Sequence, residues 1–214
     1  MQIYLTRHSQ TVWNTERRLQ GRQDSPLTTQ GKDNAKALAN YLHKQNLTFD
    51  FIYSSPIPRA YQTSQILFDT NDIIQDDRLR EMNFGIFEGQ RIEDILSCDN
   101  GYLYDNLWNH PEKFDRIPDG ESYNEIYSRV QSFLDDLKKL DANSTVFITT
   151  HGMCFIIILA CMLHYPVAKL VQLNQQVVEG CSLTLVEYTD DFHLVYKNKH
   201  EFLPHVSKNN AYHK

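Results

Sequence analysis

The sequence has no run of basic residues, no cysteines at paired spacing, and no apolar stretch longer than the one from Met153 to Leu163. Each absence removes a class of function. A net charge of −6 with no basic stripe argues against nucleic-acid binding. The apolar stretch falls well short of the ~20 residues that cross a bilayer, so no membrane partner is expected. The N-terminus lacks a basic segment followed by an apolar one, so no secretory signal is expected. Cys98, Cys154, Cys161 and Cys181 show neither CxxC nor any other metal or disulfide spacing, which fits reduced thiols in a cytoplasmic protein. His43, His110, His164, His193, His200, His205 and His213 are scattered without ligand spacing and read as packing or surface residues. No metal and no cofactor are expected. Asn46-Leu47-Thr48 and Asn143-Ser144-Thr145 match the glycosylation pattern but, without a secretion signal, read as coincidence. There is no internal repeat, low-complexity tract or linker. One domain over residues 1–206 with a polar tail at 207–214 is the expectation, and the size permits a sizeable core.

Strand and helix signals alternate along the chain, which predicts an α/β three-layer sandwich with a mostly parallel sheet and helices on both faces. Gln2 to Leu5 reads as a buried strand and Thr15 to Pro26 as a polar loop. Thr28 offers an N-cap to a helix with Ala35, Leu38, Ala39 and Leu42 on one face. Phe49 to Tyr53 and Ile73-Ile74 read as strands, with Pro58 starting the helix between them. Residues 97–118 read as an irregular, aromatic-rich excursion able to act as a lid. Ser122 and Glu125 form a capping box ahead of a stripe of Ile126, Val130, Phe133, Leu134 and Leu137. Thr145 to Thr150 is a further buried strand leading into an apolar helix. Ser182 to Tyr188 and Phe192 to Lys197 read as a hairpin.

Arg7 and His8 stand at the end of the first strand, where an open α/β sheet binds its ligands. Burying a guanidinium beside an imidazole is unfavourable unless an anion or hydrogen-bonding group faces them. The pair alone fits either a surface ion pair or an anion site. The other strand ends add Ser54-Ser55-Pro56 with Arg59, then His151-Gly152 at a helix start, and Glu81 follows the short third strand. Phosphoryl transfer without a metal needs a nucleophile, cations for the equatorial oxygens, and a proton donor for the leaving group. His8, then Arg7, Arg59 and His151, then Glu81 are the residue types for those roles.

Arg7-His8-Ser9-Gln10-Thr11-Val12-Trp13-Asn14 is similar to the RHGxTxxN signature of the histidine phosphatase superfamily, the phosphoglycerate-mutase-like fold. The resemblance continues in order through Leu19-Gln20-Gly21, Asp24-Ser25-Pro26-Leu27-Thr28, Ser54-Ser55-Pro56, Arg59-Ala60 and Leu79-Arg80-Glu81. It extends through Phe84-Gly85, Glu88-Gly89, Pro118-Asp119-Gly120-Glu121-Ser122 and Thr150-His151-Gly152. Carried over residue by residue, it implies that His8 becomes phosphohistidine and that Glu81 acts as general acid and then base. Arg7, Asn14, Arg59 and His151 would hold the phosphoryl oxygens, with Thr11, Gln20, Gly21 and Gly152 around the phosphate. Ser9 stands where the signature has Gly, a change expected to narrow the pocket or add a donor to it.

Within the superfamily, Leu19-Gln20-Gly21 and Phe84-Gly85-Ile86-Phe87-Glu88-Gly89 resemble the phosphatase branch. Ile92 stands where the mutases carry a substrate-binding lysine, and their insertion with an Arg-Arg pair is missing, the arginines of residues 90–118 being Arg91 and Arg116. Leu79 to Gly85 is similar to α-ribazole phosphatase and to broad-specificity phosphatases. The resemblance therefore implies a phosphomonoester hydrolase for a small phosphorylated metabolite, working as a monomer or homodimer. Mutase-type phosphoryl transfer and a catalytically weak phospho-ligand-binding module are the alternatives.

Overall fold

The computed structural model describes residues 1–70, 72–174 and 178–206; the expected polar tail lies outside them. Strands β1 (Gln2–Arg7), β2 (Phe51–Ser54), β3 (Ile74–Gln75), β4 (Thr145–Thr150), β5 (Leu183–Tyr188) and β6 (Phe192–Lys199) form one sheet. Its spatial order is β3-β2-β4-β1-β5-β6. The first four strands run parallel, while β5 and β6 add an antiparallel hairpin at one edge. The helices are α1 (Val12–Thr15), α2 (Thr29–Lys44), α3 (Pro58–Phe68), α4 (Ile92–Ser97), α5 (Gly101–Asn109), α6 (Tyr123–Leu137), α7 (Gly152–Met162) and α8 (Leu170–Asn174).

Successive strand residues point to opposite faces, and the two cores follow that alternation. Ile3, Leu5, Val146 and Ile148 pack with α6 and α7 in the larger core. Tyr4 and Phe147 pack with Ala35, Leu38 and Leu42 of α2 and Leu67 of α3 in the smaller one. Helix α7 is apolar nearly all round and almost wholly buried, as expected of a helix covered on several sides. No single helix among the described residues is long and apolar enough to cross a membrane.

The chain leaves β1 toward the face covered by α2 and leaves β4 toward the face covered by α7. These two strands are neighbours in parallel register, with Arg7 opposite Thr150. Connections that diverge from adjacent parallel strands open a crevice at their carboxyl ends. His8 and His151, one residue beyond that register pair, stand at its mouth.

The structure corrects the reading of residues 97–118. They contain α5 and a 3-10 turn, Pro111–Lys113, rather than an irregular excursion. Gly101, Tyr104, Leu107 and Trp108 form one buried helical face, and Phe114 and Ile117 continue it into the larger core. The helix lacks a side-chain cap at Asn100, so the usual start signal is missing. It holds together through burial of its aromatic stripe. Just ahead of the expected loop, Thr11 to Thr15 forms a capping box and a single helical turn.

Candidate active site

Parallel pairing sets the row of groups at the crevice. His8 N–H donates to the Thr150 carbonyl at 2.8 Å, and Ser55 N–H donates to the Thr149 carbonyl at 3.0 Å. Ser55, His151 and His8 therefore sit side by side on three adjacent strands, and the two imidazole centroids are 5.2 Å apart.

The hydrogen bonds of His8 fix its tautomer. The Ser9 carbonyl, 2.7 Å from Nδ1, can only accept, so Nδ1 carries the proton. Arg59 Nε donates to Nε2 at 3.3 Å, so Nε2 presents its lone pair. Burial, then the Arg59 and Arg7 charges, hold this imidazole well below its usual pKa. It is a neutral ring with a lone pair on Nε2, the form required of a nucleophile. His151 is held low by burial first and then by Arg59, His8 and Arg7. Ser55 Oγ accepts from Ile57 N–H and lies 2.7 Å from His151 Nε2. His151 Nδ1 is buried with no partner among the described residues, and in the tautomer where Ser55 donates to Nε2 it carries an N–H. A phosphoryl oxygen would satisfy it.

Arg59 lies on the buried side of α3, 1% exposed, where helical spacing from apolar neighbours alone would have placed an aliphatic residue. Its Nη2 donates to the Gly21 carbonyl at 2.6 Å, and its Nη1 donates to the Gln23 carbonyl at 2.7 Å and to Asp24 at 3.2 Å. The 19–23 loop that receives these bonds is shaped by Glu88, which accepts from the N–H groups of Arg22, Gln23 and Phe84. Gly21 adopts φ +55°, and a Cβ there would sit 2.0 Å from Glu88 Oε1. Only glycine allows that carboxylate so close. Glu88 is thus occupied by loop backbone and is not a second acid.

Thr11 Oγ1 lies 3.0 Å from both Asn14 Oδ1 and Gln20 Oε1, so Thr11, Asn14 and Gln20 form one polar chain. Of the three only Gln20 lines the cleft. Ser9 does not do what its position in the signature implied. It is fully buried, its φ is ordinary, and its hydroxyl donates to the Gly31 carbonyl at 2.7 Å. The hydroxyl faces α2, so it neither narrows the pocket nor offers the phosphate a donor.

Glu81 reaches the crevice from the turn after β3. Its Oε1 accepts from Met82 and Cys154 N–H groups at 2.9 and 3.0 Å, and Oε2 accepts from Met153 N–H at 3.1 Å. The start of α7 therefore orients this carboxyl, and Oε2, with one donor against two, is the oxygen with room for a proton. A Cβ on Gly152 would lie 3.6 Å from that oxygen.

These groups line one cleft, of about 510 Å³. Arg7, His8, Gln20, Gly21, Arg59, Glu81 and Gly152 form its polar end, as the sequence placed them. His151 stands beside His8, and Thr11, bonded to Gln20, connects Asn14 to it. The far end was not foreseen: Leu19, Phe84, Trp108, Ile156 and Val178 wall it, with Asn174 as its polar side chain. Of these, Leu19 and Phe84 stand in motifs that the resemblance marked and Trp108 in the aromatic 97–118 segment, while Ile156, Asn174 and Val178 carried no signal. Among the described residues no group of three or more His, Cys, Asp or Glu side chains is arranged to hold a metal ion.

Residues 3–199 match the family described as the histidine phosphatase superfamily (branch 1). Over 192 residues, 89% of this chain and 86% of each relative, the sequence is 35% identical to proteins named probable phosphoglycerate mutase GpmB from Enterobacter sp. (strain 638) and Yersinia pestis (strain Pestoides F). Among solved structures, Bacillus stearothermophilus YhfR is 31% identical with a TM-score of 0.86, covering 94% of this chain and 98% of that one. A mycobacterial glucosyl-3-phosphoglycerate phosphatase complexed with VO3 is 26% identical with a TM-score of 0.78, covering 92% and 98%. A putative alpha-ribazole-5'-P phosphatase from Escherichia coli, 21% identical over 94% of this chain and 97% of that one, shares the fold with a TM-score of 0.81.

Proposed function

The chain belongs to the histidine phosphatase superfamily, branch 1, and we propose that it is a metal-independent phosphomonoesterase for a small metabolite with a largely apolar leaving group. His8 Nε2 attacks phosphorus, the ester P–O bond breaks, and protonated Glu81 gives its proton to the departing oxygen. Water then attacks the phosphohistidine, losing a proton to Glu81, and inorganic phosphate leaves. Arg7 and Arg59 share the charge of the transferring oxygens, and the His151 Nδ1–H donates to one of them.

The observation that carries hydrolysis over mutase chemistry is the far end of the cleft. A phosphorylated sugar acid brings a carboxylate beside its phosphate, and a buried anion needs its own cation or donors. Beyond Arg7 and Arg59, the described residues lining the cleft include no arginine or lysine. Aromatic and aliphatic walls suit an apolar group, with Asn174 available to one hydrogen-bonding substituent. The relatives named probable phosphoglycerate mutase support the second reading, mutase-type transfer. A binding module would need Ser9, the departure from the signature, to disable catalysis, and its hydroxyl is committed to Gly31.

A panel of phosphomonoesters assayed with EDTA present, with 3-phosphoglycerate mutase activity measured in parallel, separates these readings. Release of inorganic phosphate from apolar and aryl esters with negligible mutase turnover is the expected result. Mutase turnover faster than hydrolysis would favour the second reading, and activity restored only by a divalent ion would overturn metal independence.

A further inference from the structure

Arg129 lies on the core-facing side of α6, between Ile126 and Phe133 of the buried stripe. All five of its N–H groups have acceptors. Nε and Nη2 fork onto the Glu121 carboxylate at 2.7 and 3.0 Å. Nη1 donates to the Arg78 carbonyl at 2.6 Å and approaches Cys154 Sγ at 3.8 Å. Nη2 also reaches the main-chain carbonyl of Glu81 at 3.3 Å. The same carbonyl accepts from Arg22 Nε at 3.3 Å, and Arg22 Nη2 lies 3.6 Å from Glu121. Glu121 additionally accepts from Asn83 N–H at 3.2 Å. The short segment 78–83 is thus gripped through its main chain at Arg78, Glu81 and Asn83, while α7 holds the Glu81 carboxyl from the other side.

Glu121 is 9% exposed and the Arg129 side chain 15%. Sequestering such an ion pair gives little or no net stability over a well-packed apolar pair, so fold maintenance is a weak reason for this arrangement. A five-point fork does something an apolar pair cannot, which is to fix one carbonyl in direction as well as distance. We propose that Arg129, locked by Glu121, is a positioning residue that sets where the Glu81 carboxyl stands, and so governs proton donation to the leaving group without touching substrate. The proposal rests on the hydrolase reading above.

The test compares the phosphorylation step for an alkyl ester, 2-glycerol phosphate, with that for p-nitrophenyl phosphate, whose leaving group departs without a proton. Displacing a catalytic group by ~1 Å can lower a rate by about 10²-fold. Arg129→Met is expected to slow the alkyl ester by about 30–100-fold while p-nitrophenyl phosphate and inhibition by inorganic phosphate change by less than about threefold. Glu121→Gln, which keeps the shape of the bracket, should give the same contrast in weaker form and serves if Arg129→Met does not fold. Equal losses on both esters, or no loss on either, would overturn the positioning role. If the wild type hydrolyses neither ester, the hydrolase reading itself fails and the proposal falls with it.

Discussion

The two ends of the cleft are built by different means. At the polar end, Arg7, His8 and His151 follow directly from two neighbouring parallel strands, and Arg59 follows from a third. Their geometry is set by backbone pairing, and each side chain has partners that fix its direction. The apolar end is assembled from Leu19, Phe84, Trp108, Ile156, Asn174 and Val178, which come from separate loops and helices. Packing sets its side chains, while its backbone is tied at Leu19 to Gln90, at Phe84 to Glu88 and at Val178 to Arg7. Under the proposed function the reaction is anchored at the ends of paired strands, while the choice of leaving group rests on loops and helices that can change without disturbing them.

If the two ends are separable, damage at the polar end should affect every substrate. His8→Ala is expected to lower hydrolysis of all phosphomonoesters by at least ~10³-fold, about 4 kcal/mol of barrier. It should also abolish the acid-labile, base-stable phosphoenzyme trapped by rapid quenching. A loss within tenfold would remove His8 as nucleophile.

Damage at the apolar end should be selective. Trp108→Leu removes aromatic area from the cleft wall while keeping an apolar core residue. It is expected to lower kcat/KM for 1-naphthyl phosphate by about tenfold, the equivalent of ~1.4 kcal/mol of lost apolar contact. Inhibition by inorganic phosphate should move less than twofold. A parallel loss in phosphate affinity would show that the two ends are coupled.

The electrostatics of the polar end can be read through stability. Burial and the neighbouring arginines keep His8 and His151 neutral in the folded protein, whereas in the unfolded chain both take up protons near pH 6.5. The unfolded state then binds more protons, so the stability present above pH 6.5 is lost as the pH falls through and below that value. Each ring contributes a slope of up to about 1.4 kcal/mol per pH unit. Denaturant melts of His8→Gln between pH 6 and pH 5 should be less steep than wild type by up to that amount. Equal slopes would mean that His8 is charged in the fold.

The smallest effect is expected at Ser9, which sits beside the nucleophile yet faces away from it. Ser9→Gly should leave kcat/KM within about twofold and lower the melting temperature by about 2–4 °C, from a lost hydrogen bond worth ~1 kcal/mol. A large change in kcat would place the hydroxyl in the cleft after all.

Family membership was legible in the sequence alone. Arg7-His8 alone fits a surface ion pair as well as an anion site, and it was the ordered set of motifs from Arg7 to Gly152 that carried the family. The sequence also determined the sheet, since Ile3, Leu5, Val146 and Ile148 alternate and the capping box at Ser122 marks α6. Only the tertiary structure decided what Ser9, Glu88 and Arg129 do. Each has two or more chemically sensible partners, and which one it meets depends on contacts between residues far apart in the chain: Gly31 for Ser9, the 22–23 backbone for Glu88, the Glu81 carbonyl for Arg129. Helix α5 and the apolar wall were hidden for the same reason. Trp108, Ile156 and Val178 are ordinary core residues until packing leaves one side of each facing an open cleft, and burial of that kind is a property of the assembled chain, with no local pattern to announce it.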